Sequence, residues 1–461
     1  MADRLTPALL ALSLCAACNL DQAGIDPRPA TMNFPVAVRL YQPDPTIPAS
    51  HLFVVNSNFD LRFNTGTLHA IDLQRVRDLV AGQCGGGGTD CMLDRLTYVE
   101  DPTEGAHPVL SDEVGIGSHA SGLELRPGDH GRLYLPSRTS RDLTTIDFAP
   151  NVGFTCEQSY RAAVDEGTPR WEAGDVPRCA RSRRVTRREG VANERGLELV
   201  GDPVAAAVVR SRDIGPVDVG DFLLVALREG RVALFLDDGS AAVPELLHVA
   251  EGFPQSLVSL TMEPGRAIGW LTSSTTNELA RVGIVVDPGA PARSFVYDAG
   301  RLRLGGVDDG QDTRDMVFHP RRSDVAFILS RRPESVIEVD LVRRGLTPSD
   351  LGLRGLYEVG RGPSRLATAV LGDRTYVLAS CFDAQRLFVF DVEVGALVSV
   401  IGGFSGPFEL VIDAAEERAY LVDFSISVVR VLDLSPLATG GVPTLIATLG
   451  VPTPVVSLTG T

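Results

Sequence analysis

Residues 374–380, Arg-Thr-Tyr-Val-Leu-Ala-Ser, followed by a short turn and by residues 386–392, Arg-Leu-Phe-Val-Phe-Asp-Val, decide the fold. Both runs are apolar at consecutive positions, which suits strands whose two faces are covered by neighbouring sheets. The same arrangement occurs seven times, beginning at His51, Gly131, Asp221, Ala267, Asp324, Arg374 and Glu417. The second strand of each copy closes at or near Asp72, Asp147, Asp237, Asp287, Asp340, Asp391 and Asp433. Where no insertion intervenes the spacing is that of one β-propeller blade, and seven such units close a ring. The expected fold is therefore all-β, a seven-bladed propeller of four-stranded antiparallel blades.

The flanking strands complete the blades. Innermost strands are expected at Pro35-Val-Ala-Val-Arg-Leu, Ser121-Gly-Leu-Glu-Leu, Pro203-Val-Ala-Ala-Ala-Val, Pro254-Gln-Ser-Leu-Val-Ser-Leu, Asp315-Met-Val-Phe, Arg365-Leu-Ala-Thr-Ala-Val and Pro407-Phe-Glu-Leu-Val-Ile. Proline stands first in several of them, where no ladder donor is lost. Outer strands are expected at Ala396–Ile401 and Thr444–Leu449, and Pro454-Val-Val-Ser-Leu is expected to pair with the first blade across the chain ends. The recurrent Asp reads as a turn residue that accepts backbone N–H bonds, because repetition in nearly every blade argues for structure rather than catalysis.

These hairpins resemble the Tyr-Val-Thr-Asn type of seven-bladed propeller, also seen in quinoprotein-like and lactonase-like rings. The nearest matches are Phe53-Val54-Val55-Asn56, Tyr134-Leu135-Pro136-Ser137, Tyr376-Val377-Leu378-Ala379 and Tyr420-Leu421-Val422-Asp423. The resemblance covers nearly all of residues 33–461 and implies a bacterial envelope protein without an assigned activity. No copy spells the family tetrapeptide in full, so it specifies a fold class and no subfamily.

Composition narrows the chemistry. The 461 residues carry a formal net charge of -16 and a sequence pI of about 4.9, which disfavours a nucleic-acid partner. All 43 basic residues are Arg, so Schiff-base, pyridoxal and P-loop chemistry have no lysine to use. Neither a Gly-x-Ser-x-Gly elbow nor a haem-attachment motif is present.

The first 18 residues have the layout of an export signal: Arg4, the apolar run Ala8–Leu14, then Cys15-Ala-Ala-Cys18. The small residues before Cys18 resemble a lipobox, although Cys15 stands where that family usually has Leu. That implies lipid attachment at Cys18, with Asn19 favouring an outer-membrane or cell-surface location over a periplasmic or secreted one. Residues 19–32 would be a flexible tether, and residues 33–461 a monomeric propeller with insertions at about 76–118 and 151–200. Cys84 with Cys91, and Cys156 with Cys179, are the favoured disulfides, each staple lying inside its own insertion. Cys381 is left over and reads as a small buried apolar group.

Propeller ligands meet the mouth of the central channel. On that face the turns offer Asn56, Asn58, Asp60, Arg138, Arg228, Arg331, Asp383 and Asp423, a mixed set suited to a protein surface, a glycan or another polar ligand. Asp308, Asp312 and Asp315 form an acidic stretch that a Ca²⁺ reading would use, but it lacks EF-hand spacing, so a solvated loop is preferred. The Arg181–Arg188 cluster reads as an insertion strand paired with acids, with an anionic partner or lipid headgroups as alternatives. The expected function is a non-catalytic binding module; the alternative is a metal-dependent, lactonase-like hydrolase using scattered residues such as Glu124, Asn58 and Asp315.

Overall fold

The computed structural model describes residues 27, 30–83, 91–93, 109–126, 131–156, 176–185, 199–215, 218–304, 312–345 and 350–452. Seven antiparallel sheets follow one another along the chain. Blade 1 consists of Pro35–Tyr41, His51–Asn56, Gly66–Asp72 and Leu110–Ile116. Blade 2 begins with Glu124–Arg126, Gly131–Ser137 and Asp142–Ala149. Blades 3 to 7 start at the inner strands Pro203–Arg210, Leu257–Met262, Thr313–His319, Pro363–Leu371 and Pro407–Asp413 and run outward in chain order. Each inner strand lies against those of the blades on either side, including the first against the seventh, so the ring is closed.

The paired apolar runs behave as their composition demands. His51–Asn56, Gly131–Ser137 and Asp221–Leu227 are buried at every position, because a second strand has a sheet neighbour on both edges and a blade on both faces. Outer strands have one wet face, and in Ala396–Ile401 the residues Leu397, Val398 and Val400 are exposed. Six of the seven recurrent aspartates cap the turn that follows: Asp72, Asp237, Asp287, Asp340, Asp391 and Asp433 each accept a backbone N–H two or three residues on. Asp147 instead holds Arg132 and Arg183.

Two expectations about the insertions are corrected. Residues 110–116, placed within the first insertion, are the outer strand of blade 1, paired with Gly66–Asp72. The stretch 151–200 is no appendage: Gly153–Thr155 and Arg184–Val185 pair with opposite ends of Asp142–Ala149 and together fill the fourth position of blade 2. The Cys156–Cys179 disulfide is present, with Cα atoms 5.1 Å apart, and sits among buried side chains with Phe154, Phe53 and Phe148. In the Arg181–Arg188 cluster, Arg183 pairs with Asp147 at 2.8 Å and Arg184 with Asp142 at 3.8 Å, as the ion-pair reading expects; Arg187 and Arg188 lie outside the described residues.

Closure has a component the sequence did not suggest. Cys91–Leu93, carried by the loop between the third and fourth strands of blade 1, pairs in parallel with Thr444–Leu449, the fourth strand of blade 7. The helix Leu73–Gln83 that leads into this loop buries Leu73 and Val76 in the same cluster as Tyr420, Val429 and Leu449 of blade 7. Blade 1 thus holds blade 7 from outside as well as at the channel. The signal residues 1–18, Cys84 with its pairing to Cys91, Asp308 and the 454–458 strand lie outside the described residues.

Candidate functional site

The mouth of the channel is built by one repeated device. In every blade a residue at the end of the second strand or one past it donates its N–H to a carbonyl in the segment that leads into the inner strand. The donors are Ser57, Arg138, Arg228, Ser274, Arg331, Phe382 and Phe424, at 2.8 to 3.1 Å. These seven bonds hold an upper ring of side chains at one height. Below it, six inner strands carry a register shift at their second position, where an extra residue re-aims the chain. That shift turns Val36, Val204, Val258, Arg314 and Phe408 into the same space as the upper ring. Gly362, at φ 66°, is needed in blade 6: a Cβ there would stand 2.8 Å from the backbone nitrogen of Asp383.

The cavity, open to solvent at the mouth, has a volume of about 700 Å³, within the range of small-molecule sites. Its walls differ. Blades 6, 7 and 1 supply Phe382, Phe408, Phe424 and Phe59, whose rings meet around Phe424 at centroid distances of 5.7 to 6.2 Å. His119 fixes the Phe59 turn through its Nε2, 2.9 Å from the Phe59 carbonyl. Blades 2, 3, 5 and 6 supply Arg138, Arg228, Arg314, Arg331 and Arg365, against the single lining carboxylate of Asp383.

Some of these arginines are committed. Arg314 pairs with Asp312 at 2.5 Å, the Arg331 Nε donates to the Pro363 carbonyl at 2.9 Å, and Arg365 lies over the Phe408 ring at 5.3 Å. Burial, reinforced by the neighbouring Arg314 and Arg365 charges, holds the Arg331 guanidinium below its ordinary pKa. Among the described residues, neither Arg138 nor Arg228 has a carboxylate partner for its guanidinium within the mouth.

The residues expected at this face divide cleanly. Arg138, Arg228, Arg331 and Asp383 line the cavity. Asn56 and Asn58 do not: both are 1% exposed, Asn56 bonding Asn33 and Thr67, and Asn58 closing its own loop through Phe63 and Ser118. Asp60 turns outward to Arg62 and its own loop. Asp423 is fully buried and accepts the Ser405 and Gly406 N–H groups and Arg430, a turn-building role. The sequence reading missed the four phenylalanines, Arg314 and Arg365.

Deeper in the channel a second cavity of about 280 Å³ is lined by Arg39, Asp315, Arg365 and Glu409. Arg39 bonds Glu409 and stands 3.9 Å from Glu124, while Arg365 stands 3.7 Å from Glu409. Asp315 accepts the Leu366 and Met316 N–H groups, so it does not converge with Asp312, and the expected Asp308-Asp312-Asp315 cluster is not assembled by its described members. Among the described residues no group of three or more His, Cys, Asp or Glu side chains is placed to share a metal ion. Cys381 is buried, and desolvation pushes its thiol up to about 12, far from nucleophilic use.

Burial pushes Glu124 up to about 7, against the opposing pull of Arg39. A carboxyl raised in this way binds its proton in the folded state when the unfolded chain has released it, so stability declines as pH rises from about 4.5 to 7. Water reaches 24% of this side chain, which moderates the cost to roughly 2 kcal/mol at pH 8. The Glu124→Gln variant is expected to be more stable than the parent by that amount at pH 8 and equal to it near pH 4.5, measured by urea unfolding. Equal destabilisation at both pH values would refute this account.

No family model and no curated protein matches this chain. Among solved structures it is similar to a candidate 6-phosphogluconolactonase from Bacteroides uniformis, at 11% identity and a TM-score of 0.48, covering 80% of this chain and 83% of that one. A second such protein, from Bacteroides fragilis, has 12% identity, a TM-score of 0.48 and the same coverages. A protein of unknown function from Desulfotomaculum acetoxidans has 12% identity and a TM-score of 0.44, covering 73% of this chain and 92% of that one. No functional residue is carried over from them.

Proposed function

We propose that this chain is an exported, lipid-anchored propeller of the Tyr-Val-Thr-Asn-like type, acting at the outer membrane or cell surface as a non-catalytic module that captures an anionic ligand in the mouth cavity. One observation carries the reading of the cavity: in a chain of net charge -16, five arginines line one concave site, and two of them lack a carboxylate partner there. Unpaired guanidinium groups in a partly dry cavity favour carboxylate or phosphate, since charge-assisted bonds are the strongest available to them. The hydrolase alternative needs several carboxylates around a common point. Those in the channel are interleaved with Arg39 and Arg365 instead.

The test uses the full chain in a Gram-negative host, followed by titration of the purified protein. Wild type is expected in the membrane fraction and Cys18→Ser in the soluble fraction. Inorganic phosphate is expected to raise the melting temperature saturably, less so at high salt, and to lose this effect in Arg138→Met/Arg228→Met. A flat response of wild type to phosphate, citrate and short dicarboxylates would sink the anion reading, and equal partitioning of the two forms would sink the anchor.

A further inference from the structure

The mouth cavity carries two chemically distinct groups of side chains, phenylalanines from blades 6, 7 and 1 and the arginines Arg138 and Arg228 from blades 2 and 3, and phosphate alone would use only the second. Phe59 is 60% exposed although it belongs to a contiguous group of rings with Phe34, Phe424 and His119. An aromatic side chain left this wet, beside three others on the same concave wall, presents a flat apolar face to whatever fills the cavity. The Arg365 guanidinium lies over the Phe408 ring and takes up that face, so Phe59, Phe382 and Phe424 are the rings left for a planar ligand. Arg138 and Arg228, from blades 2 and 3, line the same cavity and are anchored by the same kind of backbone N–H bond as Phe382 and Phe424.

We propose that the ligand class of this site is an aryl carboxylate: a planar aromatic body laid against Phe59, Phe382 and Phe424, with its carboxylate reaching Arg138 and Arg228. This deepens the anion-binding reading and rests on it. The aromatic wall supplies shape and apolar contact, and the arginine wall fixes orientation through a bidentate-capable group. Neutral aromatics lose the second interaction and small inorganic anions lose the first.

Isothermal titration of the folded protein with 2-naphthoate, 2-naphthol and inorganic phosphate separates these contributions, using wild type, Phe59→Ala and Arg138→Met/Arg228→Met. The exposure of Phe59 makes its truncation compatible with folding. The expected result is 2-naphthoate bound at least about tenfold tighter than either 2-naphthol or phosphate. Phe59→Ala weakens 2-naphthoate severalfold and leaves phosphate unchanged, whereas the double arginine variant weakens both anions. If phosphate binds as tightly as 2-naphthoate and Phe59→Ala alters neither, the aryl specificity is overturned while the anion site stands. Binding of 2-naphthol equal to that of 2-naphthoate overturns it as well. If neither anion binds, both readings fall together.

Discussion

Deleting residues 151–200 is expected to abolish the cooperative unfolding of the whole ring. The cut removes both strands that cover the outer edge of Asp142–Ala149, leaving that strand's ladder groups unpaired and its buried residues Leu143 and Ile146 facing water. It removes Phe154, which is fully buried between Phe53 of blade 1 and Phe148 of blade 2. The Cys156–Cys179 disulfide, which packs in the same cluster as Phe154, goes too. So do the Gly115 N–H bond to the Pro177 carbonyl and the Cys179 N–H bond to the Gly115 carbonyl, which stitch the stretch to blade 1. These losses exceed the margin by which domains are stable. Heating the deletion variant should give a broad, early transition with dye-accessible apolar surface. A single sharp transition near that of the parent would show the stretch to be accessory after all.

The sequence reading erred on this stretch for a physical reason. The seven hairpins are legible because consecutive apolar residues and a closing Asp recur at blade spacing, and all seven inner strands overlap the expected stretches, with those of blades 2 and 4 beginning three residues later, at Glu124 and Leu257. An outer strand carries much less signal: Gly153–Thr155 and Arg184–Val185 are three and two residues long, and Leu110–Ile116 holds the half-buried Ser111 and Asp112 and the buried Glu113. Length and polarity both made them read as loop. At the mouth the error was one of register. Polar turn residues were selected because ligands need polarity, and that choice took in Asn56, Asn58, Asp60 and Asp423, which satisfy their own turns or neighbouring loops. The position that faces the cavity is fixed by backbone geometry, one residue past the second strand in six blades and its last residue in blade 5. It holds Phe in blades 6 and 7, Ser in blades 1 and 4, and Arg in blades 2, 3 and 5. Aligning the seven copies on that residue displays the asymmetry, whereas scanning each turn for charge hides half of it.

Replacing Arg132 with Met is expected to cost about 3 to 5 kcal/mol, the range for breaking a buried ion pair from one side. Arg132 ties blade 2 to blade 3. Its Nε stands 2.6 Å from Asp147 of its own blade, and one terminal nitrogen lies 2.8 and 3.0 Å from the two oxygens of Asp237 and 3.0 Å from the Ala241 carbonyl. Asp237 is only 2% exposed, bonds the Tyr134 hydroxyl, and has Arg126 as its next cation at 3.7 Å. Methionine fills much of the volume but leaves this carboxylate in a dry interface without its closest counter-charge. The cost should therefore come from the stranded anion rather than from lost packing. A double variant separates the two: Arg132→Met/Asp237→Asn removes the charge as well and keeps one acceptor oxygen, enough for either the Tyr134 hydroxyl or the Gly239 N–H, so it should recover part of the loss. Denaturant unfolding of the two variants beside Asp237→Asn alone gives the coupling energy. If the double variant is as unstable as the sum of the singles, the Arg132–Asp237 contact contributes nothing of its own, and the blade 2 to blade 3 seam is held by its apolar cluster instead.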